Sequence, residues 1–217
     1  MSSGGEQRAG ILGRMSSEAS LGYPTHHRPW LQALGRAALR MAGWSIVGEV
    51  PHLPKFVIIV APHTSNWDFA VGLAAKFALA LDITWFGKDT LFRGPAGALL
   101  RKLGGRPVRR DSPEGVVAEM AAMVRHEPQF LLALAPEGTR RQVSCWRTGF
   151  YHIAEAADIP IVPVWFDWSR REVGIGSPVR PSGDLARDVA GLQSLYRPEM
   201  AKHRHAFWLR SVPSETR

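Results

Sequence analysis

His63 stands five residues before Asp68 in the stretch Ala61-Pro62-His63-Thr64-Ser65-Asn66-Trp67-Asp68-Phe69. An aspartate so placed can accept from one imidazole N–H and fix the tautomer. The other ring nitrogen is then free to take a proton from a hydroxyl. On a continuous helix, residues five apart diverge by about 140° at 3.6 residues per turn. The pair therefore forms only if His63 lies in a loop and Asp68 in the first helical turn. Ser65 supplies that break, as an N-cap with Asp68 at N3 in a Ser-x-x-Asp capping box. A plainer reading stays open, in which Asp68 only caps the helix and His63 ends a strand. A second polar cluster, Pro136-Glu137-Gly138-Thr139-Arg140-Arg141, directly follows an apolar run. Glycine permits a tight turn there, and Thr139, Arg140 and the freed amides can surround an anionic group. Its plainer reading is a solvated turn with an internal ion pair.

The elements that must hold these loops alternate. Phe56 to Val60 is a short β-branched run of the kind found in buried strands. An apolar helix is predicted from Trp67 to Leu81, then a strand at Ile83 to Phe86. A helix follows from Pro95 to Leu103, ended by Gly104-Gly105. Ser112-Pro113-Glu114 opens another, with an N-cap and a proline at N1, running to His126. Gln129 to Leu134 reads as a strand, Phe150 to Ala157 as a helix, Ile161 to Phe166 as a strand and Leu185 to Tyr196 as a last helix. This alternation predicts an α/β fold: one domain, a mixed or mostly parallel central sheet flanked by helices, and an N-terminal amphipathic helix. In such sheets chemistry gathers in the loops at strand ends.

That helix is predicted over Pro29 to Val50, with Trp30, Leu31, Leu34, Leu39, Met41 and Trp44 apolar and Arg36 and Arg40 four apart. It suits a membrane interface or a face packed on the core, and both readings stand. Residues 1–28, rich in Ser, Gly, Arg and Glu and without a signal-peptide core, read as a flexible tail. A cytoplasmic setting is the expectation.

Composition narrows the classes further. At 217 residues and 45% hydrophobic the chain can bury a core, which excludes global disorder. A single cysteine, Cys145, excludes a disulfide scaffold and a multi-cysteine metal site. The net charge of +8 comes from 27 Lys+Arg against 19 Asp+Glu, and 22 of the 27 are arginines. Between Lys88 and Arg147 basic residues number 11 and acidic ones 6. Such a surplus points to an anionic partner, although arginine bias also arises from base composition. Arg109-Arg110, Arg140-Arg141 and Arg170-Arg171 lack any nucleic-acid-binding signature and read as solvated edges. Cys145, Ser65 and Ser144 lie in no nucleophile motif. Trp85, Trp146, Trp165, Trp168 and Trp208 read as core or rim.

Taken jointly, the blocks carry a resemblance. His63-Thr64-Ser65-Asn66-Trp67-Asp68, followed 69 residues after its aspartate by Glu137-Gly138-Thr139-Arg140, resembles the glycerolipid acyltransferase family typified by 1-acylglycerol-3-phosphate acyltransferases. Gly87 to Pro95 is similar to that family's second block, Gly104 to Arg110 to the segment after it, and Ile161-Val162-Pro163-Val164 to its fourth. The chain departs from the pattern at Pro62, Ala135 and Arg141.

The resemblance implies that His63 is the general base, oriented by Asp68, for an acceptor hydroxyl that attacks an acyl thioester directly. It implies that Lys88, Arg93, Glu137, Gly138, Thr139 and Arg140 bind a glycerol-phosphate. It implies an acyl-CoA or acyl carrier protein donor, a lysophospholipid acceptor, no cofactor and no metal. The expected organisation is a tail over 1–28, a membrane-interface helix over 29–50 and an acyltransferase domain over 51–217. The setting implied is peripheral, on an anionic membrane surface at the cytoplasmic face of the cell membrane, with no nucleic acid partner. Other lipid or glycolipid acceptors, a membrane-binding module without catalysis, and a nucleic-acid binder resting on net charge alone are the competing readings.

Overall fold

A computed structural model describes residues 22–26, 28–108 and 113–208. Helix α1 (Pro29–Met41) leads into a short strand β1 (Ser45–Val47). Then come β2 (Lys55–Val60), α2 (Asn66–Ala78), β3 (Ile83–Lys88), α3 (Gly94–Lys102), β4 (Gly105–Val108), α4 (Pro113–His126) and β5 (Phe130–Leu134). The chain continues through α5 (Gly149–Ala157), β6 (Ile161–Asp167), β7 (Glu172–Ile175) and α6 (Leu185–Ser194). The strands form one sheet in the order β1-β7-β6-β2-β5-β3-β4. Strands β6, β2, β5, β3 and β4 run parallel, and β7 pairs with β6 in antiparallel fashion. The mixed, mostly parallel sheet expected from the alternation is present.

Side chains alternate across the central strands, so each covers two layers. Val57, Ile59, Leu132 and Ile161 point to one face and pack with Val124, Phe150, Ile153, Val189 and Leu192 of α4, α5 and α6. Phe56, Ile58, Leu131 and Val162 point to the other. On that second side α2 stands off the sheet, and a cavity of about 210 Å³ remains between them.

Two expectations at the N-terminus need correction. The helix does not run to Val50: it stops at Met41, and Ser45 to Val47 pairs in parallel with β7 as the sheet's edge strand. Nor are residues 22–26 a free tail. Thr25 bridges Leu81, the His26 N–H donates to the Ala80 carbonyl, and the Asp82 N–H donates to that of Pro24. The rest of the predicted tail, residues 1–21 and 27, lies outside the described residues, as does the Ser112 cap.

Helix α1 lies against α2 through Gly35, where an added Cβ would sit 2.5 Å from the Ala78 nitrogen. Only glycine allows that approach. Leu39, on the same side, is buried as well. Opposite them, Trp30, Leu34 and Met41 fall within about 40° on the helix wheel and are 64%, 55% and 84% exposed. One face packs on the core and the other is bare apolar surface.

Candidate active site

Parallel strands bring their C-terminal ends to one edge of the sheet, and the polar loops gather there. The loop 61–65 follows β2, 89–93 follows β3, 135–138 follows β5, and Trp168 follows β6. Because β2 lies between β6 and β5, His63 is flanked by the Trp168 turn on one side and Glu137 on the other. Neighbouring strands are about 4.8 Å apart. Lys88 and Arg93 thus sit two strands away from His63.

Ser65 caps α2 as the spacing predicts. Its side chain accepts from the Trp67 N–H at 3.2 Å, and its own N–H donates to Asp68 Oδ2 at 2.8 Å. The same Oδ2 faces His63 Nδ1 at 3.6 Å. Cap and pair are therefore one carboxylate, and the two readings of Asp68 are not exclusive. Asp68 is almost wholly buried and also accepts from Trp168 Nε1 at 2.8 Å, through Oδ1. The 3.6 Å separation lies just beyond hydrogen-bond contact, and catalytic contacts commonly tighten when substrate binds.

Burial is the larger influence on His63 and holds its pKa below the usual value, against the opposing pull of Asp68. The Arg140 guanidinium pushes the same way as burial, which places its charge within electrostatic reach of the ring. That direction favours the neutral imidazole, the form that can accept a proton.

Glu137 occupies a different position from the one its exposed neighbours suggest. It is 2% exposed, and the His63 N–H donates to its two carboxyl oxygens at 3.0 and 3.1 Å. Burial pushes its pKa up to about 8, only partly offset by that hydrogen bond. A carboxyl with a raised folded-state pKa loses stability as pH climbs from its unfolded value, near 4.5, to about 8. Each unit in that window costs about 1.4 kcal/mol. Glu137→Gln keeps an acceptor for the His63 N–H and cannot ionise. Its melting temperature relative to wild type should rise between pH 5 and pH 8; parallel curves would show that Glu137 ionises freely in the folded protein.

Gly138 turns the chain at φ 66°, where a Cβ would meet the Arg147 guanidinium group at 2.8 Å. Thr139 Oγ1 accepts from the Arg141 N–H at 3.3 Å, and Arg140 is exposed. Arg93 pairs with Asp89 at 3.2 Å on the surface, and Lys88 is exposed at the end of β3. Of the eight residues singled out in the sequence, the structure unites His63, Asp68 and Glu137 and keeps Arg140 close. It places Lys88 and Arg93 on a separate loop.

The apolar cavity opens at the pair. His63, Asp68 and Phe69 line it near the loop, and Phe56, Ile58, Ala133 and Val162 line it along the sheet. Lys76 also borders it, buried, with its ammonium donating to the carbonyls of Ile83 and Leu103 at 2.9 Å each. Among the described residues no group of His, Cys, Asp or Glu could hold a metal ion.

The chain's residues 48–167 match the family model described as Acyltransferase. This protein belongs to that acyltransferase family. Over 112 residues it is 30% identical to proteins named 1-acyl-sn-glycerol-3-phosphate acyltransferase from Salmonella typhimurium and Salmonella typhi. That stretch covers 49% of this chain and 45% of each relative, so the match spans about half their length. The crystal structure of the 1-acyl-sn-glycerophosphate (LPA) acyltransferase PlsC from Thermotoga maritima has a similar fold. The TM-score is 0.53 at 18% identity, covering 77% of this chain and 75% of that one.

Sequence reasoning alone did not reach Trp168, nor the buried role of Glu137. Both depend on which strands become neighbours, and no local spacing encodes that.

Proposed function

We propose that this acyltransferase-family chain moves a fatty acyl group from a thioester, acyl-CoA or acyl carrier protein, to a hydroxyl of a lysophospholipid, with 1-acylglycerol-3-phosphate as the acceptor. One observation carries the reading: an apolar cavity is lined by His63, half-buried, together with its buried partner Asp68. A hydrocarbon chain lies favourably in such a cavity, and its reactive end then sits at the imidazole. The names of the Salmonella relatives favour the same acceptor.

In this mechanism Asp68 faces Nδ1, so Nε2 takes the proton of the acceptor hydroxyl. The oxygen attacks the thioester carbonyl, the tetrahedral intermediate collapses with cleavage of the C–S bond, and the imidazolium gives its proton to the departing sulfur, which restores the neutral base. Ester and free thiol are the products, and no covalent acyl-enzyme forms. Arg140 binds the acceptor phosphate, with Thr139, Lys88 and Arg93 as further polar contacts. Glu137 holds His63 through its backbone, and Gly138 shapes the turn. No cofactor takes part.

Peripheral membrane contact at the cytoplasmic face completes the proposal. Trp30, Leu34 and Met41 form the apolar stripe of α1, and the exposed Arg36 and Arg40 suit anionic headgroups. No helix among the described residues is long and apolar enough to cross a membrane.

The direct test is a panel of lysolipid acceptors with acyl thioesters, scored by free thiol release. Turnover with 1-acylglycerol-3-phosphate above the neutral acceptors supports the reading; inactivity on every pair removes it. The cavity gives a companion test. Ala133→Phe fills space beside the sheet and should cut turnover of long-chain donors about tenfold or more, while eight-carbon donors keep most of theirs. Equal losses would mean that the cavity does not hold the acyl chain.

A further inference from the structure

The carboxylate of Asp68 is held from two sides. The Ser65 N–H fixes Oδ2, and the indole N–H of Trp168, 100 residues further along the chain, fixes Oδ1 at 2.8 Å. Among the described residues no other side chain donates to Oδ1. Asp68 is 1% exposed, so solvent does not replace a lost donor easily.

Trp168 is itself fixed. It follows directly on β6, the strand beside β2, and its backbone N–H donates to the Met200 carbonyl at 3.0 Å. Its ring meets Trp44 edge-on, with centroids 4.9 Å apart, and the Lys202 ammonium lies 3.9 Å from its centroid. Three separate parts of the chain therefore hold one indole against one carboxylate.

We infer that Trp168 is a positioning residue of the catalytic pair, acting on His63 through Asp68. This inference rests on the proposed role of His63 as base. A carboxylate anchored at both oxygens is held from rotating away from the imidazole. Without that donor the carboxylate turns, its attraction on His63 weakens, and the imidazolium becomes less stable. Burial already depresses the His63 pKa against Asp68, so the loss carries it lower still. A tryptophan present only for packing has neither effect.

The test replaces Trp168 by phenylalanine, which keeps an aromatic ring and removes the N–H. A second variant carries benzothienylalanine at position 168, with sulfur in place of the N–H in nearly the same shape. Both should lose about tenfold or more in kcat, the scale of a hydrogen bond to a charged group. KM for donor and acceptor should hold within about twofold. The His63 imidazole, followed by NMR, should titrate at lower pH than in wild type, and the acid limb of kcat/KM should move with it. Trp208→Phe, which alters a buried indole whose ring partners are Trp146, Tyr196 and Phe207 and which touches neither Asp68 nor Trp168, should leave kcat and the titration unchanged.

The inference is overturned if the benzothienylalanine protein keeps wild-type kcat, or if the His63 titration does not move. The titration needs no turnover. A wild-type protein inactive on every acceptor would therefore count against the acyltransferase reading of the site, while the NMR shift still decides whether Trp168 acts on the pair.

Discussion

His63→Ala should lower acyl transfer by about 10²–10⁴-fold, the usual loss when a positioned general base is removed. The fold should survive. Among the described residues His63 Nδ1 has no hydrogen-bond partner, and its backbone N–H, which holds Glu137, is retained in alanine. Circular dichroism and a melting curve close to wild type would establish that. Near wild-type turnover on the best acceptor would remove the central mechanistic claim. Asp68→Asn should also be slow, but for two separable reasons. The charge that favours the imidazolium is gone. An amide also has one acceptor oxygen where the carboxylate has two, so its NH2 must confront either the Ser65 or the Trp168 N–H. The variant should therefore lose both stability and kcat. A large melting shift at preserved specific activity would leave Asp68 as a helix cap and nothing more.

What could be read in the sequence follows the range of the physics that encodes it. Phe56 to Val60 identified itself because five consecutive apolar residues between prolines fit little besides a buried strand. The start of α2 was equally plain, since a capping box is contained within four residues. The three missed strands are short or disguised. Ser45 to Val47 continues the apolar rhythm of α1 through Trp44, Ile46 and Val47, and the break before it is marked by Gly43, left-handed at φ 72° just past the helix end. Strand β4 contains Pro107, which a strand tolerates at a sheet edge such as this one. Strand β7 has four residues, two of them buried. In the site, His63 and Asp68 were legible because their partnership is local. Glu137 was not, because a glutamate beside glycine and arginine suggests an exposed turn. Its burial follows from β5 lying next to β2, where the His63 N–H needs an acceptor. Trp168 is the extreme case, for its link to Asp68 exists only once β6 pairs with β2.

Arg140→Lys separates a phosphate-bearing acceptor from a neutral one, and its expected effect is the second largest. Arg140 is exposed, and its charge helps hold the His63 pKa down, so the guanidinium lies within electrostatic reach of the imidazole. A guanidinium grips phosphate through two parallel charge-assisted hydrogen bonds, a geometry that an ammonium cannot reproduce. Lysine keeps the charge, so long-range attraction survives while orientation is lost. Acceptor KM should rise and kcat should fall, because reacting geometry is sensitive to displacements of an ångström. Donor KM should barely move if the acyl chain is held by the cavity. The deciding quantity is kcat/KM for a phosphate-bearing lysolipid divided by that for its neutral monoacylglycerol counterpart. At about 1.5–3 kcal/mol for a hydrogen bond to a charged group, this ratio should fall about 10- to 100-fold. Equal losses on the two acceptors would make Arg140 a structural residue of the turn. The glycerol-phosphate assignment would then give way to a neutral acceptor, with the chemistry at His63 unchanged.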